Sequence, residues 1–222
     1  MTRIRLVCFV GIDGSGKTTI AKSVINDMKQ LDISCRYVWS RGTPKVFMPL
    51  IIFAKRFILR TSGRVLSTDE RNPFNRTLAS NKLLSHLWQT MLILDSLLQV
   101  TLNVRIPMKL GTVVICDRYI FDQMVDIAVD LRLSATQFER WAHNSVYRLF
   151  PRPNLTFLMD ANELKAFARQ QTDVRSINEL RLRRTYYLLL SRINHMIVID
   201  ASEEYINVSR AVRQRVANAM VS

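Results

Sequence analysis

The residues best suited to chemistry stand near the start of the chain, in the stretch GIDGSGKTT at residues 11–19. Gly11, Gly16, Lys17 and Thr18 meet the pattern G-x-x-x-x-G-K-[ST], between an apolar run and a helical pattern. Glycines let successive amide N–H groups turn toward anionic oxygens, and the helix N-terminus adds partial positive charge. The stretch therefore predicts ATP binding, and the residues expected to line that site are Gly11, Asp13, Gly14, Ser15, Gly16, Lys17, Thr18 and Thr19.

Individual roles follow from the side chains of this loop. Lys17 is expected to reach the β- and γ-phosphates, and Thr18 offers a hydroxyl ligand to Mg²⁺. Asp13 places a carboxylate where it would repel phosphates. We expect Asp13 to accept a hydrogen bond from the acceptor, although a solvent-facing or helix-capping carboxylate fits the pattern too.

A second acid ends the apolar run TVVIC, in the text ICDRY. Asp117 would stand at the carboxyl end of a strand, where open α/β sheets bind their ligands. A carboxylate there can hold Mg²⁺ through water, so Thr18 and Asp117 are the predicted metal residues. Arg118 and Tyr119 follow directly.

The elements that position these residues are predicted from apolar periodicity. Apolar runs occur at residues 4–10, 34–39, 112–116, 155–159 and 196–199. Helical spacing lies between them, at residues 20–31 and 77–103 among others, and a closing helix ends the chain. This alternation predicts an α/β fold with a five-stranded parallel sheet and helices on both faces, as one domain over residues 1–222. Asp95, midway along the long helix, is either a solvated or capping acid or a ligand.

Composition narrows the class of partner. The net charge is +14, and arginine supplies 24 of the 32 basic residues. Arginine suits phosphate and carboxylate oxygens, so the charge indicates either an anionic ligand or a generally arginine-rich surface. Cys8, Cys35 and Cys116 lie in apolar runs without a C-x-x-C pair, which predicts reduced core thiols and a cytoplasmic location. No signal peptide is expected, and the apolar segment 46–54 is too short for a membrane span.

The motifs together resemble the thymidylate kinase family of nucleoside monophosphate kinases. The matching pieces are GIDGSGKTT, GTVVICDRY, PNLTFLMDANELKAFARQ, the segment ending RRTYYLLL, and MIVIDAS, in the family's order from end to end. The resemblance implies a P-loop NTPase fold with an arginine-rich lid at about residues 165–184. It also implies transfer of the γ-phosphate of Mg·ATP to a nucleoside monophosphate, dTMP being the first choice, with dTDP as product.

Residue roles are carried over from the same resemblance. Asp13 looks like the carboxylate that contacts the acceptor sugar's 3′-hydroxyl, and Arg118 like the clamp on the acceptor phosphate. Ala201, within IDAS, lies where the family lines the adenine pocket. The expected catalytic set is Lys17, Asp117, Arg118, Arg169 and Arg175, and the expected substrate-binding set is Asp13, Arg41, Asp95, Arg118 and Tyr119.

The sequence is also compatible with several alternatives. The family's long-helix arginine would fall near Leu97, yet no arginine occurs between Arg76 and Arg105. The acceptor could therefore carry a hydroxyl instead, as in a nucleoside, a sugar or a lipid head group. The +14 charge also suits a non-enzymatic ATP-binding protein associated with RNA or a membrane. The basic apolar segment 45–64 is read as a packed helix, a membrane-surface helix or a cover over the acceptor site. A homodimer through the long helix is expected from the family.

Overall fold

The computed structural model describes residues 4–40, 82–143, 146–169 and 176–221. The chain separates into two compact units, residues 1–41 with 103–222, and residues 42–102. The single domain over residues 1–222 stays a prediction. Arg41, Arg175 and the segment 45–64 lie outside the described residues.

The first unit is built on a sheet of five parallel strands in the order β2-β3-β1-β4-β5. The strands are β1 (Leu6–Val10), β2 (Cys35–Trp39), β3 (Val113–Asp117), β4 (Leu155–Asp160) and β5 (Ile197–Asp200). The predicted five-stranded parallel sheet is thus confirmed. Every predicted strand is found within two residues of its expected ends.

Helices connect the strands of this unit. They are α1 (Lys17–Gln30), α3 (Ile106–Lys109), α4 (Ile120–Asp130), α5 (Ala135–His143), α6 (Glu163–Ala168), α7 (Ile177–Ile193) and α8 (Tyr205–Val221), with a 3₁₀ turn at Val146–Leu149. Helix α1 begins three residues before the predicted start, because the backbone enters the helix directly after Gly16, whose φ is +82°. None of the helices described is long and apolar enough to cross a membrane.

The core lies along the central strands. Every residue of β1 and of β3 is buried, as expected for strands covered on both faces. Cys8 and Cys116 face each other in register on these strands, and all three cysteines are free thiols. Burial raises the pKa of the Cys8 thiol. Burial of β1 and β3 therefore holds both strands in place, and with them the loops that follow their carboxyl ends.

The second unit contains the long predicted helix, described as α2 (Lys82–Val100), which a π-helical turn at Thr101–Arg105 follows. The prediction of a helix over residues 77–103 is confirmed for its described part. Within α2, Gln99 donates a hydrogen bond to the carboxylate of Asp95, one turn earlier. The side chain of Trp88 lies outside the description.

Candidate functional site

The glycine loop, residues 11–16, leaves the carboxyl end of β1 and enters α1. Strand β1 lies between β3 and β4, and the chain leaves β1 toward β2 but leaves β4 toward β5, on the opposite side. Ligands of open α/β sheets bind where such connections diverge. The topology thus places the glycine loop at the position where this sheet type binds ligands.

Glycine is required in this loop for two reasons. Gly11 and Gly14 have φ values of +139° and +82°, which residues with a Cβ seldom adopt. A Cβ on Gly11 would also lie 2.6 Å from the carbonyl oxygen of Met159, at the end of β4. A Cβ on Gly14 would collide with the carbonyl oxygen of Ala166 in α6. The loop therefore packs backbone against backbone with the segment that follows β4.

We expect Gly14→Ala to weaken ATP binding about tenfold or more, since the loop must shift away from Ala166 and its amides lose their alignment. ATP affinity measured by calorimetry checks this. Gly111→Ala is the matched control, because Gly111 has a similar φ of +87° in a turn where an added Cβ meets nothing within 4 Å. Equal ATP affinity in wild type and Gly14→Ala would contradict the steric argument.

Lys17 lies folded across the glycine loop. Its ammonium nitrogen donates to the carbonyl oxygen of Ile12 at 2.6 Å and to Oγ of Ser15 at 3.1 Å. Only 4% of Lys17 is exposed. Burial and the nearby cation of Arg118 lower the pKa of Lys17 to about 8. The loop thus holds an ammonium group that its own backbone orients.

This pKa predicts a pH dependence of ATP binding. The Lys17 ammonium predominates below about pH 8, and bound phosphates favour it over the neutral amine. ATP affinity should therefore fall as the pH rises from 7 to 9, by as much as about tenfold per unit above the pKa of the free protein. Titration with ATP in EDTA measures this slope. In Lys17→Met the slope should disappear, and a slope that persisted would assign it to another group.

Asp117 is the meeting point of three elements. Its Oδ2 accepts hydrogen bonds from Thr18 Oγ1 at 2.6 Å and from the Tyr37 hydroxyl at 2.7 Å. Burial and the Asp117 carboxylate raise the pKa of Tyr37 above its usual range, so the phenol is the donor. Asp117 is fully buried, and among the described residues its Oδ1 has no hydrogen-bond partner. A buried carboxylate oxygen without a donor, beside a threonine hydroxyl, fits a divalent cation.

Arg118 is held between two carboxylates. Its guanidinium donates to Asp13 in the glycine loop and to Asp122 Oδ1, the latter at 3.2 Å. Arg118 has a φ of +72°, an uncommon backbone conformation for arginine. Burial alone would lower the pKa of Arg118, but the charges of Asp122 and Asp13 outweigh it and raise the pKa. The cation is therefore permanent, and it joins β3 to the glycine loop.

Asp122 holds the Arg118 guanidinium through a hydrogen bond. It is the third residue of α4, and it accepts from the Tyr119 backbone N–H at 3.0 Å and from the Tyr187 hydroxyl at 2.8 Å. Burial raises the pKa of Asp122, while the charges of Arg118 and Lys17 oppose that rise. The Asp122 carboxylate thus uses one hydrogen bond to cap a helix and others to fix Arg118 and α7.

Other predicted site residues lie elsewhere. The ring of Tyr119 is buried, and its hydroxyl donates to the Pro151 carbonyl at 2.9 Å, which places Tyr119 in the core of the first unit. Arg169 ends α6 and donates to the carbonyl oxygen of Ala201 at 3.1 Å. Arg169 and Ala201, predicted for different roles, are therefore in contact beside β5. Asp95 belongs to the second unit.

Two arginines of the predicted lid segment, Arg183 and Arg184, bind carboxylates within the fold. Arg184 grips Asp160, at the end of β4, with two hydrogen bonds of 2.6 and 2.9 Å, and it also reaches Glu163 at 3.2 Å. Arg183 pairs with Asp126 of α4 and with Glu179 of its own helix. These contacts fasten α7 to β4 and α4, a structural role that helical periodicity alone did not indicate.

Comparison of the chain with protein-family models and with curated proteins gives no match. In the part of the chain that the structure describes, no group of three His, Cys, Asp or Glu side chains stands ready to hold a metal. Mg²⁺ is ordinarily bound by one or two protein groups together with substrate phosphates, so such a group is not required for it.

Proposed function

We propose that this chain is an ATP-dependent phosphotransferase that acts on nucleoside monophosphates, with dTMP as the first acceptor to test. The observation that carries the proposal is the contact between Thr18 and Asp117, which joins the glycine loop to the acid of the neighbouring strand. Next to this contact lie Lys17 and Arg118, one cation for each of two anionic molecules. The coarser class, a phosphotransferase, depends on this arrangement alone.

The donor half of the site consists of the glycine loop, Lys17, Thr18 and Asp117. Backbone amides of the loop and the Lys17 ammonium bind the phosphates of ATP. Thr18 Oγ1 and the buried Oδ1 of Asp117 are the groups that would hold Mg²⁺. A bound Mg²⁺ would supply positive charge that offsets the negative charge developing on the phosphates during transfer. Thr18 would then give up its hydrogen bond to Asp117 in order to bind the ion.

The acceptor half is centred on Arg118. A phosphate monoester has a second pKa of about 6, so it attacks as an anion and needs a cation more than a base. Arg118 can offer two parallel N–H groups to such a phosphate, provided that Asp13 yields its place. The choice of dTMP comes from the motif resemblance, and a 3′-hydroxyl that hydrogen-bonds to Asp13 would release Arg118.

A coupled ADP-release assay with Mg·ATP and a panel of nucleoside monophosphates tests the proposal. We expect turnover to depend on an added monophosphate, and dTMP to give the largest kcat/KM. ATP hydrolysis without acceptor supplies the background rate. If no nucleoside monophosphate is phosphorylated above that background, the proposal is wrong.

One observation favours a second candidate, a kinase of the same fold with a hydroxyl acceptor. Arg118 already faces two carboxylates, so its positive charge is paired before any substrate arrives. A neutral nucleoside, sugar or lipid head group would meet no repulsion there, and Asp13 could accept its proton. Adding such acceptors to the same panel separates the two candidates. A role as an ATP-binding protein on RNA or a membrane remains a prediction from charge alone.

A further inference from the structure

We propose that Tyr37 is a positioning residue for the metal site, which holds the Asp117 carboxylate so that its unpartnered oxygen is available to a divalent cation bound with ATP. The proposal rests on the donor half of the proposed function but on no particular acceptor. Its basis is the 2.7 Å hydrogen bond from the Tyr37 hydroxyl to Asp117 Oδ2.

Strand register explains why a tyrosine at position 37 can make this contact. Tyr37 of β2 pairs with Ile115 of β3, two residues before Asp117. Register partners, and residues two apart on one strand, lie on the same face of a sheet, so Tyr37 and Asp117 share a face. Two residues of a parallel strand span about 6.6 Å, a distance that a tyrosine side chain leaning along the strand can cover.

The same face of the sheet carries α1. Cys35, two residues before Tyr37, lies 3.8 Å from the carbonyl oxygen of Ile25 in α1. Thr18, the other donor to Asp117 Oδ2, is the second residue of α1. Tyr37 and Thr18 thus approach one carboxylate oxygen from two elements, and both leave Oδ1 without a donor.

The two donors differ in what happens to them when a cation binds. Thr18 must release Asp117 if its hydroxyl oxygen is to face the metal. Tyr37 stands on β2 rather than on the glycine loop and has no such second task, so its hydrogen bond persists. Without the Tyr37 hydroxyl, Thr18 could leave Asp117 only by exposing a buried Oδ2 without a donor, so the Thr18 hydrogen bond would compete with the metal. Tyr37 therefore frees Thr18 as well as orienting Asp117.

Tyr37→Phe tests this role, with Mn²⁺ as the probe ion. We expect the dissociation constant of Mn²⁺ in the complex with a non-hydrolysable ATP analogue to rise about tenfold or more, the usual effect of losing a partner of a metal ligand. Free Mn²⁺ is measured directly by electron paramagnetic resonance. Affinity for the analogue in EDTA should remain within about twofold, since Tyr37 contacts neither the glycine loop nor Lys17 in the described structure.

Tyr205→Phe is the matched control, because Tyr205 is half exposed at the start of α8 and should bind Mn²⁺ as wild type does. Unchanged Mn²⁺ affinity in Tyr37→Phe would overturn the proposal. An equal loss of affinity in EDTA would also overturn it, since that result indicates a general distortion of β2. If wild type binds Mn²⁺ with the analogue yet phosphorylates no acceptor, the proposed function fails while this inference stands. If wild type does not bind the analogue, both fail.

Discussion

Lys17→Ala should lower phosphotransfer by about 10²–10³-fold, the usual effect of removing one preorganised charge from a reaction that develops negative charge. In the structure the Lys17 ammonium is fixed by Ile12 and Ser15, so it costs no rearrangement at the moment of transfer. ATP affinity should fall as well, because the loop loses its buried cation. Steady-state kinetics with dTMP and calorimetry with ATP measure the two effects.

Lys22→Ala supplies the control for Lys17→Ala. Lys22 lies on the same helix, is exposed, and is not part of the described site. Its removal lowers the net charge equally, so any difference between the two variants belongs to position 17. Unchanged ATP affinity and turnover in Lys17→Ala would show that the glycine loop is not a nucleotide site, and the proposed function would fall with it.

Arg118→Ala is expected to reduce turnover of a phosphorylated acceptor by about 10²–10³-fold while ATP affinity changes little. The Arg118 guanidinium forms an ion pair with Asp13 of the glycine loop, so this cation lies beside the proposed acceptor site. Its loss leaves two phosphate anions to approach each other beside carboxylates. The KM for the monophosphate should rise together with the fall in kcat.

The stability of Arg118→Ala needs a second variant. Removing one partner of a buried ion pair costs about 3–5 kcal/mol, because Asp122 would keep a charge without its cation. Arg118→Ala combined with Asp122→Asn removes that charge and should recover much of the loss of stability, but no activity. Arg132→Ala is a further control, since Arg132 is also an arginine with positive φ, in the turn after α4. Full activity of Arg118→Ala toward monophosphates would move the acceptor elsewhere and favour the hydroxyl alternative.

The sheet could be predicted from the sequence because its strands are buried on both faces. A run such as LVCFV carries that signal by itself, and all its residues are buried as expected. The ends of strands could also be predicted, since Asp117 interrupts an apolar run where β3 ends. The order of the strands was not predicted, because no local pattern shows which strand lies beside β1.

The site was only partly predictable for the same reason. The positions of Lys17, Thr18 and Asp117 follow from a motif and a strand end, which are local signals. Tyr37 reaches Asp117 from a strand 80 residues away in sequence, and an aromatic residue in a strand usually belongs to the core. Its alternation with Cys35 on one face of β2 was the available signal, and it identifies a face but no partner.

Asp122 shows how a local signal can be present and still be missed. An acid at the third position of a helix commonly caps it, and Asp122 does bind the Tyr119 N–H in this way. Its contacts with Arg118 and Tyr187 depend on the packing of α4 against α7, which periodicity does not specify. Arg169 is the converse case, because its predicted role came from resemblance while its contact with Ala201 depends on how α6 meets β5.

The edge position of β2 affects the order in which parts of the fold are lost on heating. Strand β2 is one of the two edge strands of the described sheet, and it pairs with β3 alone. Edge strands separate from a sheet more readily than central strands in native-state fluctuations. Separation of β2 from β3 would withdraw the Tyr37 hydroxyl from Asp117 while β1 and the glycine loop stayed folded. Mild heating should therefore weaken divalent-ion binding at Asp117 before it unfolds the glycine loop.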